Sequence, residues 1–300
     1  MCISYEDEYT IFMETPQTEY PELAKTLGIP KLFLKREDLH PFGSHKGRSI
    51  PKMIDEYVRR GEKKFSISSS GNAALAAAKY IKEKNLNDAN LLLEIFIGKN
   101  IPEAKKSALV SLADEKIKVS EKERPLQAFL ETIKLGAQSL RQSTDDTALI
   151  GYESLAEEIS EIPNLSAIFI ATSSGTTAEA LGGFFLGRKN PPEIHIVQTS
   201  SCHPIAEIFD KRKITEEKSI ADAIVDKVAH RREKVVDIVE KSGGSGWIVS
   251  NEEIKSAQEK LAPFGVAATP NGALSFAGLT RAVSVGKKFS GAVVCIIGGK

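Results

Sequence analysis

Three short segments bring together residue types that could carry out chemistry. In LFLKREDLHPFGSHKGR, Leu32 to Arg48, a strand-like run gives way to Pro41, Gly43 and Ser44 and then meets Lys46. A strand, a glycine turn and a helix start would put that lysine at a helix N-terminus, where the macrodipole and a buried setting both disfavour an ammonium. A neutral amine is a nucleophile, whereas an ordinary lysine is a solvated surface group. In ISSSGNAALAAAKY, Ile67 to Tyr80, a strand runs into Ser68, Ser69, Ser70, Gly71 and Asn72 and then into a helix of small residues. Such a turn offers successive N–H groups and hydroxyls to a carboxylate, and Gly71 lets a ligand approach the main chain. A plain helix cap accounts for the same residues. The third segment, AIFIATSSGTTAEALGGFF, Ala167 to Phe185, repeats the arrangement with Ser173, Ser174, Gly175, Thr176 and Thr177 at the corner. This is either a Ser/Thr-rich cap or a nest that holds a phosphate without a cationic side chain. It is not a Walker loop, and no strand is followed by GxGxxG, so nucleotide readings weaken.

Together the three segments resemble the fold type II family of pyridoxal phosphate (PLP) enzymes, which includes threonine synthase, serine and threonine dehydratases, cysteine synthase and the tryptophan synthase β chain. The likeness starts at Thr15-Pro16 and continues through KREDL (Lys35 to Leu39), GSHKGR, SSGNA and SSGTT. It ends at PNGALSFAGL and CIIGG near the C-terminus. It implies PLP as cofactor, a small amino-acid substrate, and a homodimer. It further implies that Lys46 holds the cofactor as a Schiff base and shuttles the α-proton, and that Asn72 hydrogen-bonds the cofactor's 3′ oxygen. Ser69, Ser70, Gly71 and the Ala73 N–H would hold the substrate carboxylate, and Ser173, Ser174, Gly175, Thr176 and Thr177 the cofactor phosphate. The cofactor conjugates the α-carbon with an electron sink, so a leaving group on the β or γ carbon can depart.

Several positions depart from the family pattern. The residue before the C-terminal glycine pair is usually Ser, Thr or Cys facing the pyridine nitrogen, and here it is Ile297. Cys295 lies two residues earlier on the same strand face. Unless Cys295 or a water substitutes, the ring nitrogen is unprotonated, which suits elimination better than transamination. His45 replaces the common Phe before the lysine, Gly47 stands where Asp is frequent, and Thr269 replaces an acidic residue typical of dehydratases. The wording SGNAALAAA most resembles threonine synthase. The reading is therefore a threonine synthase-like lyase or synthase acting by elimination or replacement. A serine/threonine dehydratase and a non-catalytic PLP or amino-acid binding protein are the alternatives.

The elements that must position these residues follow from periodicity. Branched apolar runs at Phe65–Ser70, Leu91–Ile97, Lys116–Ser120, Ala167–Thr172, Glu193–Thr199, Trp247–Ser250 and Ala292–Ile297 alternate with helical stretches, the pattern of parallel βα units. The expected fold is α/β, with two doubly wound domains built on parallel sheets. Residues 1–40 and 149–300 would form the larger, cofactor phosphate-binding domain, and residues 41–148 the smaller domain that closes over the substrate. Polar, turn-forming QSTDDTA (Gln142 to Ala148) marks one boundary. The charged stretch DKVAHRREK, Asp226 to Lys234, reads as a solvated helix face. Glu37 and Asp38, adjacent on a strand, read as structural rather than as an acid/base pair.

Composition bounds the rest. With 300 residues, 41% hydrophobic and 27% charged, the chain can bury two cores. Forty Lys plus Arg against forty Asp plus Glu leave 40 − 40 = 0 net charge, so no whole-chain field favours nucleic acid or an anionic membrane. The longest apolar runs are about a third of the roughly 20 residues a bilayer span needs. The N-terminal MCISYEDEYT shows no signal-peptide pattern, which predicts a cytoplasmic location. Cys2, Cys202 and Cys295 fit neither a disulfide framework nor a zinc cage, and His195 and His203 lack ligand spacing, so no metal is expected.

Overall fold

The computed structural model describes residues 14–99 and 101–299; Cys2 and the N-terminal decapeptide lie outside them. The chain opens with β1 (Gln17–Glu19), α1 (Pro21–Leu27) and β2 (Lys31–Lys35), then passes through a 3-10 turn at Glu37–Leu39 into α2 (Lys46–Arg59). Four short strands follow with their helices: β3 (Lys64–Ser68), α3 (Asn72–Leu86), β4 (Leu92–Gly98), α4 (Glu103–Val110), β5 (Ile117–Lys122), α5 (Pro125–Lys134) and β6 (Gln138–Ser139). Next come α6 (Thr147–Ile150), α7 (Glu153–Ser160), β7 (Leu165–Ala171), α8 (Thr176–Leu186) and β8 (Glu193–Thr199). The remainder is α9 (Arg232–Lys241), β9 (Ser245–Val249), α10 (Asn251–Leu261), α11 (Pro270–Ser284) and β10 (Ala292–Ile296).

The strands form two sheets, as expected. The larger runs β1-β2-β10-β7-β8-β9 and the smaller β5-β4-β3-β6. All pairs are parallel except β1 with β2, where three polar residues add an antiparallel edge that periodicity could not announce. Both faces of the larger sheet are covered. Ala167, Phe169, Val293, Cys295 and Ile297 pack on one face with α1, α10 and α11, while Ile168, Ile170, Val294 and Ile296 pack on the other with α7, α8 and α9. A separate core around Ile50, Phe65, Ile95 and Leu109 fills the smaller sheet. Doubly covered parallel strands read as continuous apolar runs, which is why their positions were legible.

One segment is more buried than its polarity suggests, and one expectation needs correcting. In the polar segment at Gln142, Gln142 and Ser143 are buried. Gln142 Nε2 donates to Ser49 Oγ (2.6 Å), and Tyr57 Oη donates to Asp145 Oδ2 (2.5 Å), so distant residues satisfy its polar groups. The stretch at Asp226 is not a helix face throughout. The helix starts only at Arg232, and Arg231 is 4% exposed. His195 is a core residue. It stacks on Phe169 at 4.5 Å, accepts N–H bonds from Ser245 and Trp247 at Nδ1, and pairs with Glu193 through Nε2.

Candidate active site

Parallel α/β sheets bind ligands outside the carboxyl ends of their strands. Three loops meet there. The first follows the 3-10 turn after β2 and delivers Lys46 as the first residue of α2, half-buried. Ser44 sets that start, its Oγ accepting the Lys46 N–H at 3.2 Å. The second follows β3, where Gly71 precedes α3 and its N–H donates to Ser69 Oγ at 3.2 Å. Ser69, Ser70, Gly71, Asn72 and Ala73 are all half-buried at this corner. The third follows β7. Gly175, at φ +96°, makes a left-handed turn that a side chain would strain, and α8 begins at Thr176. Ser174 Oγ lies 3.0 Å from Thr176 Oγ1, while Ser173 Oγ accepts the N–H groups of Val225 and Asp226 at 3.2 and 3.3 Å.

The end of β10 joins these loops. A Cβ on Gly299 would lie 2.0 Å from Asn72 Nδ2 and 2.7 Å from Ser44 Cβ, and one on Gly298 would lie 3.5 Å from His45 Nδ1. The glycine pair is thus what lets the lysine loop, Asn72 and the chain end come together. His45, Thr177, Ile170, Ala171, Ile296 and Gly298 line one small cavity of about 10 Å³ where these loops meet. A wider surface groove of about 630 Å³, lined by Lys31, Asn164 and Ala292, lies at the opposite, amino ends of the strands.

The structure does not bring Cys295 or Ile297 to that cavity. Both are wholly buried in the apolar cluster on the α11 side of β10, and burial pushes the Cys295 thiol well above its ordinary range. The alternation that put the two on one face was sound, but the residue lining the cavity is Ile296, from the other face. Gly47 has a local explanation. A Cβ there would come 2.4 Å from the His40 ring and 2.7 Å from Phe42, so His40 fills the space an aspartate would need. Thr269 caps α11, accepting the Gly272 N–H and donating to the Gly299 carbonyl (2.8 Å), which ties the glycine pair to that helix.

Sequence reading missed the charges behind Lys46. Arg48, two residues on, donates to Glu37 through Nε (2.9 Å) and Nη2 (2.8 Å) and to Glu158 through Nη1 (2.5 Å) and Nη2 (2.9 Å). Lys35 Nζ also pairs with Glu158 and donates to the Thr15 carbonyl (2.7 Å). This buried cluster fixes α2 against β2 and α7. Glu37 is therefore structural, and Asp38 pairs with Arg36. The signal was present in KREDL and GSHKGR, but their partner Glu158 is far away in the chain.

His45 sits beside the lysine with Nδ1 shut off from solvent and, among the described residues, without a hydrogen-bond partner. Burial, reinforced by Lys46, His40 and Arg48, holds its pKa well below the ordinary histidine range. The folded state keeps it neutral, while the unfolded chain takes up a proton near pH 6.5. Stability from this group is therefore present above about pH 6.5 and is lost as pH falls below it. We expect the wild type to lose about 1.4 kcal/mol more than His45→Phe between roughly pH 7.5 and 5.5, read from urea melts at the two pH values. Equal losses would show that the ring is not held neutral.

Among the described residues, no cluster of His, Cys, Asp or Glu could hold a metal ion, and no helix is long and apolar enough to cross a membrane. The profile of the family described as "Pyridoxal-phosphate dependent enzyme" matches residues 10–299. Among curated proteins, the chain is similar to the threonine synthase of Methanosarcina acetivorans, with 26% identity over 91% of this chain and 70% of that protein. The threonine synthase of Methanocaldococcus jannaschii is 28% identical over the same shares. The catabolic L-threonine dehydratase of Staphylococcus aureus is 26% identical over 82% of this chain and 71% of its own. Among solved structures, a PLP-dependent aspartate racemase superposes with TM-score 0.82 at 19% identity, covering 95% of this chain and 90% of that one. Threonine deaminase isoform 2 of Solanum lycopersicum gives 0.79 at 20%, covering 95% and 83%. At these identities the structures show a shared fold.

Proposed function

The chain belongs to the pyridoxal-phosphate-dependent enzyme family, and we propose that it acts on a small amino acid by elimination or replacement at the β or γ carbon, in the manner of threonine synthase. The observation that carries the reading is the convergence of the lysine loop, Asn72, the SSGTT corner and the Gly298-Gly299 chain end at the carboxyl ends of the strands. The residues present fit the cofactor's chemistry. A left-handed glycine with hydroxyls and free N–H groups at the start of α8 suits a phosphate, the unpartnered His45 Nδ1 borders the same cavity, and Lys46 supplies an amine.

When bound, the cofactor supplies an electron sink that makes loss of an α-proton feasible near neutral pH. Ser173, Ser174, Gly175, Thr176 and Thr177 would bind its phosphate, and Asn72 would orient its 3′ oxygen. Lys46 would hold it covalently and then move the α-proton. Ser69, Ser70, Gly71 and the Ala73 N–H would bind the substrate carboxylate, with the smaller lobe, residues 41–148, closing over it and excluding water. With Cys295 in the core and Ile297 apolar, the end of β10 offers the ring nitrogen no protonating side chain. That favours elimination over amino-group transfer.

The choice of threonine synthase over other family reactions is supported by SGNAALAAA and by relatives of that name across more than nine-tenths of the chain. The dehydratase reading stands second, supported by the Staphylococcus aureus relative. Purified protein supplied with PLP is expected to release phosphate from O-phosphohomoserine. Keto acid from serine or threonine alone, with no phosphate release, would transfer the assignment to a dehydratase. A visible absorbance that no amino acid in a broad panel alters would point to a binding protein instead.

A further inference from the structure

Arg231 is the least expected residue near the site. It lies in the irregular stretch before α9, 4% exposed, and its two terminal nitrogens make four bonds to two parts of the chain. Nη1 donates to Asp146 Oδ1 (2.9 Å) and Glu179 Oε2 (2.7 Å), and Nη2 donates to the carbonyls of Gln142 (2.9 Å) and Asp145 (2.8 Å). Its Nε is buried and has no partner among the described residues. A buried arginine with an unmet donor is costly, so pairing alone does not explain its position.

Its targets border the SSGTT corner. Glu179 stands in the first turn of α8, its N–H donating to the Gly175 carbonyl at 2.8 Å, and a Cβ on Gly175 would lie 3.2 Å from Arg231 Cβ. The Gln142 carbonyl that receives Nη2 is within 3.4 Å of Thr176 Oγ1 as well. An uncompensated carboxylate in the first turn would oppose an incoming phosphate. Lys234 Nζ, 3.0 Å from the other Glu179 oxygen, completes the neutralisation from the surface.

We propose that Arg231 is a positioning residue for the cofactor phosphate: it cancels the charge of Glu179 beside the phosphate seat and ties the first turn of α8 to the Gln142–Asp146 segment between the sheets. This rests on reading Ser173–Thr177 as that seat. The test compares PLP with pyridoxal, which lacks the phosphate, in equilibrium titrations followed by absorbance. Wild type should bind PLP far more tightly than pyridoxal. Arg231→Met should weaken PLP about tenfold and leave pyridoxal nearly unchanged. Adding Glu179→Gln should recover most of the loss, which a merely structural role would not do. Lys234→Met, an exposed change that spares folding, should weaken PLP about two- to threefold by the same route. Equal weakening of both ligands, or no rescue by Glu179→Gln, would overturn the proposal while leaving the seat in place. A wild type that binds the two ligands equally would overturn the seat itself.

Discussion

Lys46→Ala is expected to leave a folded protein that takes up PLP only reversibly and loses turnover by roughly 10³-fold or more. Lys46 is the first residue of α2, and alanine is the best helix former, so the backbone held by Ser44 should not change. What disappears is the amine proposed to serve both as covalent holder of the cofactor and as carrier of the α-proton. Borohydride treatment of the loaded wild type should fix one phosphopyridoxyl mass on the peptide containing Lys46. The variant should give none. A label found on a different lysine in the wild type would sink the proposed site.

Glu37→Gln should lower folding stability by about 3 kcal/mol, the scale for removing one partner from a buried ion cluster. Two cations, Lys35 and Arg48, face two carboxylates, Glu37 and Glu158, and Glu37 is fully buried. Without it two buried cations share one anion. The cluster also gives acid sensitivity. Burial by itself would raise the Glu158 pKa, but bonds from Arg48 and Lys35 outweigh it and hold the carboxyl below its ordinary value. A depressed folded pKa stabilises above the unfolded value, near roughly pH 4.3, and that stability is lost as pH falls further. Thermal midpoints measured from roughly pH 3 to 7 should drop steeply at the acid end in wild type and less so in Glu158→Gln. Parallel curves would refute the assignment.

Much of this architecture was legible because doubly buried parallel strands leave uninterrupted apolar runs and because glycine turns announce helix starts. The corner before α8 and the placement of Lys46 at the head of α2 were readable for that reason. Strand order was not. Nothing local in AVVCI says that it lies between KLFLK and LSAIFIA. Charge was the least readable layer. Arg231 looks like any residue of a solvated run until Asp146 and Glu179, remote in sequence, are brought to it. The partners of Gln142 were unreadable for the same reason, since Ser49 and Tyr152 are brought to it only by the fold. Gly47 was an unexplained departure because its cause, the His40 ring, is a matter of space and not of type.

The place of β10 in the larger sheet has a consequence for how a nascent chain reaches this form. The four strands of the smaller sheet have all been made once Ser139 leaves the ribosome, and their contacts are comparatively local. β2, by contrast, pairs Leu32 with Val293 and Leu34 with Cys295. One of its edges therefore stays open until β10, far along the chain, has been made, with Lys35 awaiting its neighbours. The larger sheet, which needs both β2 and β10, is therefore completed only after all the strands of the smaller sheet are available to fold.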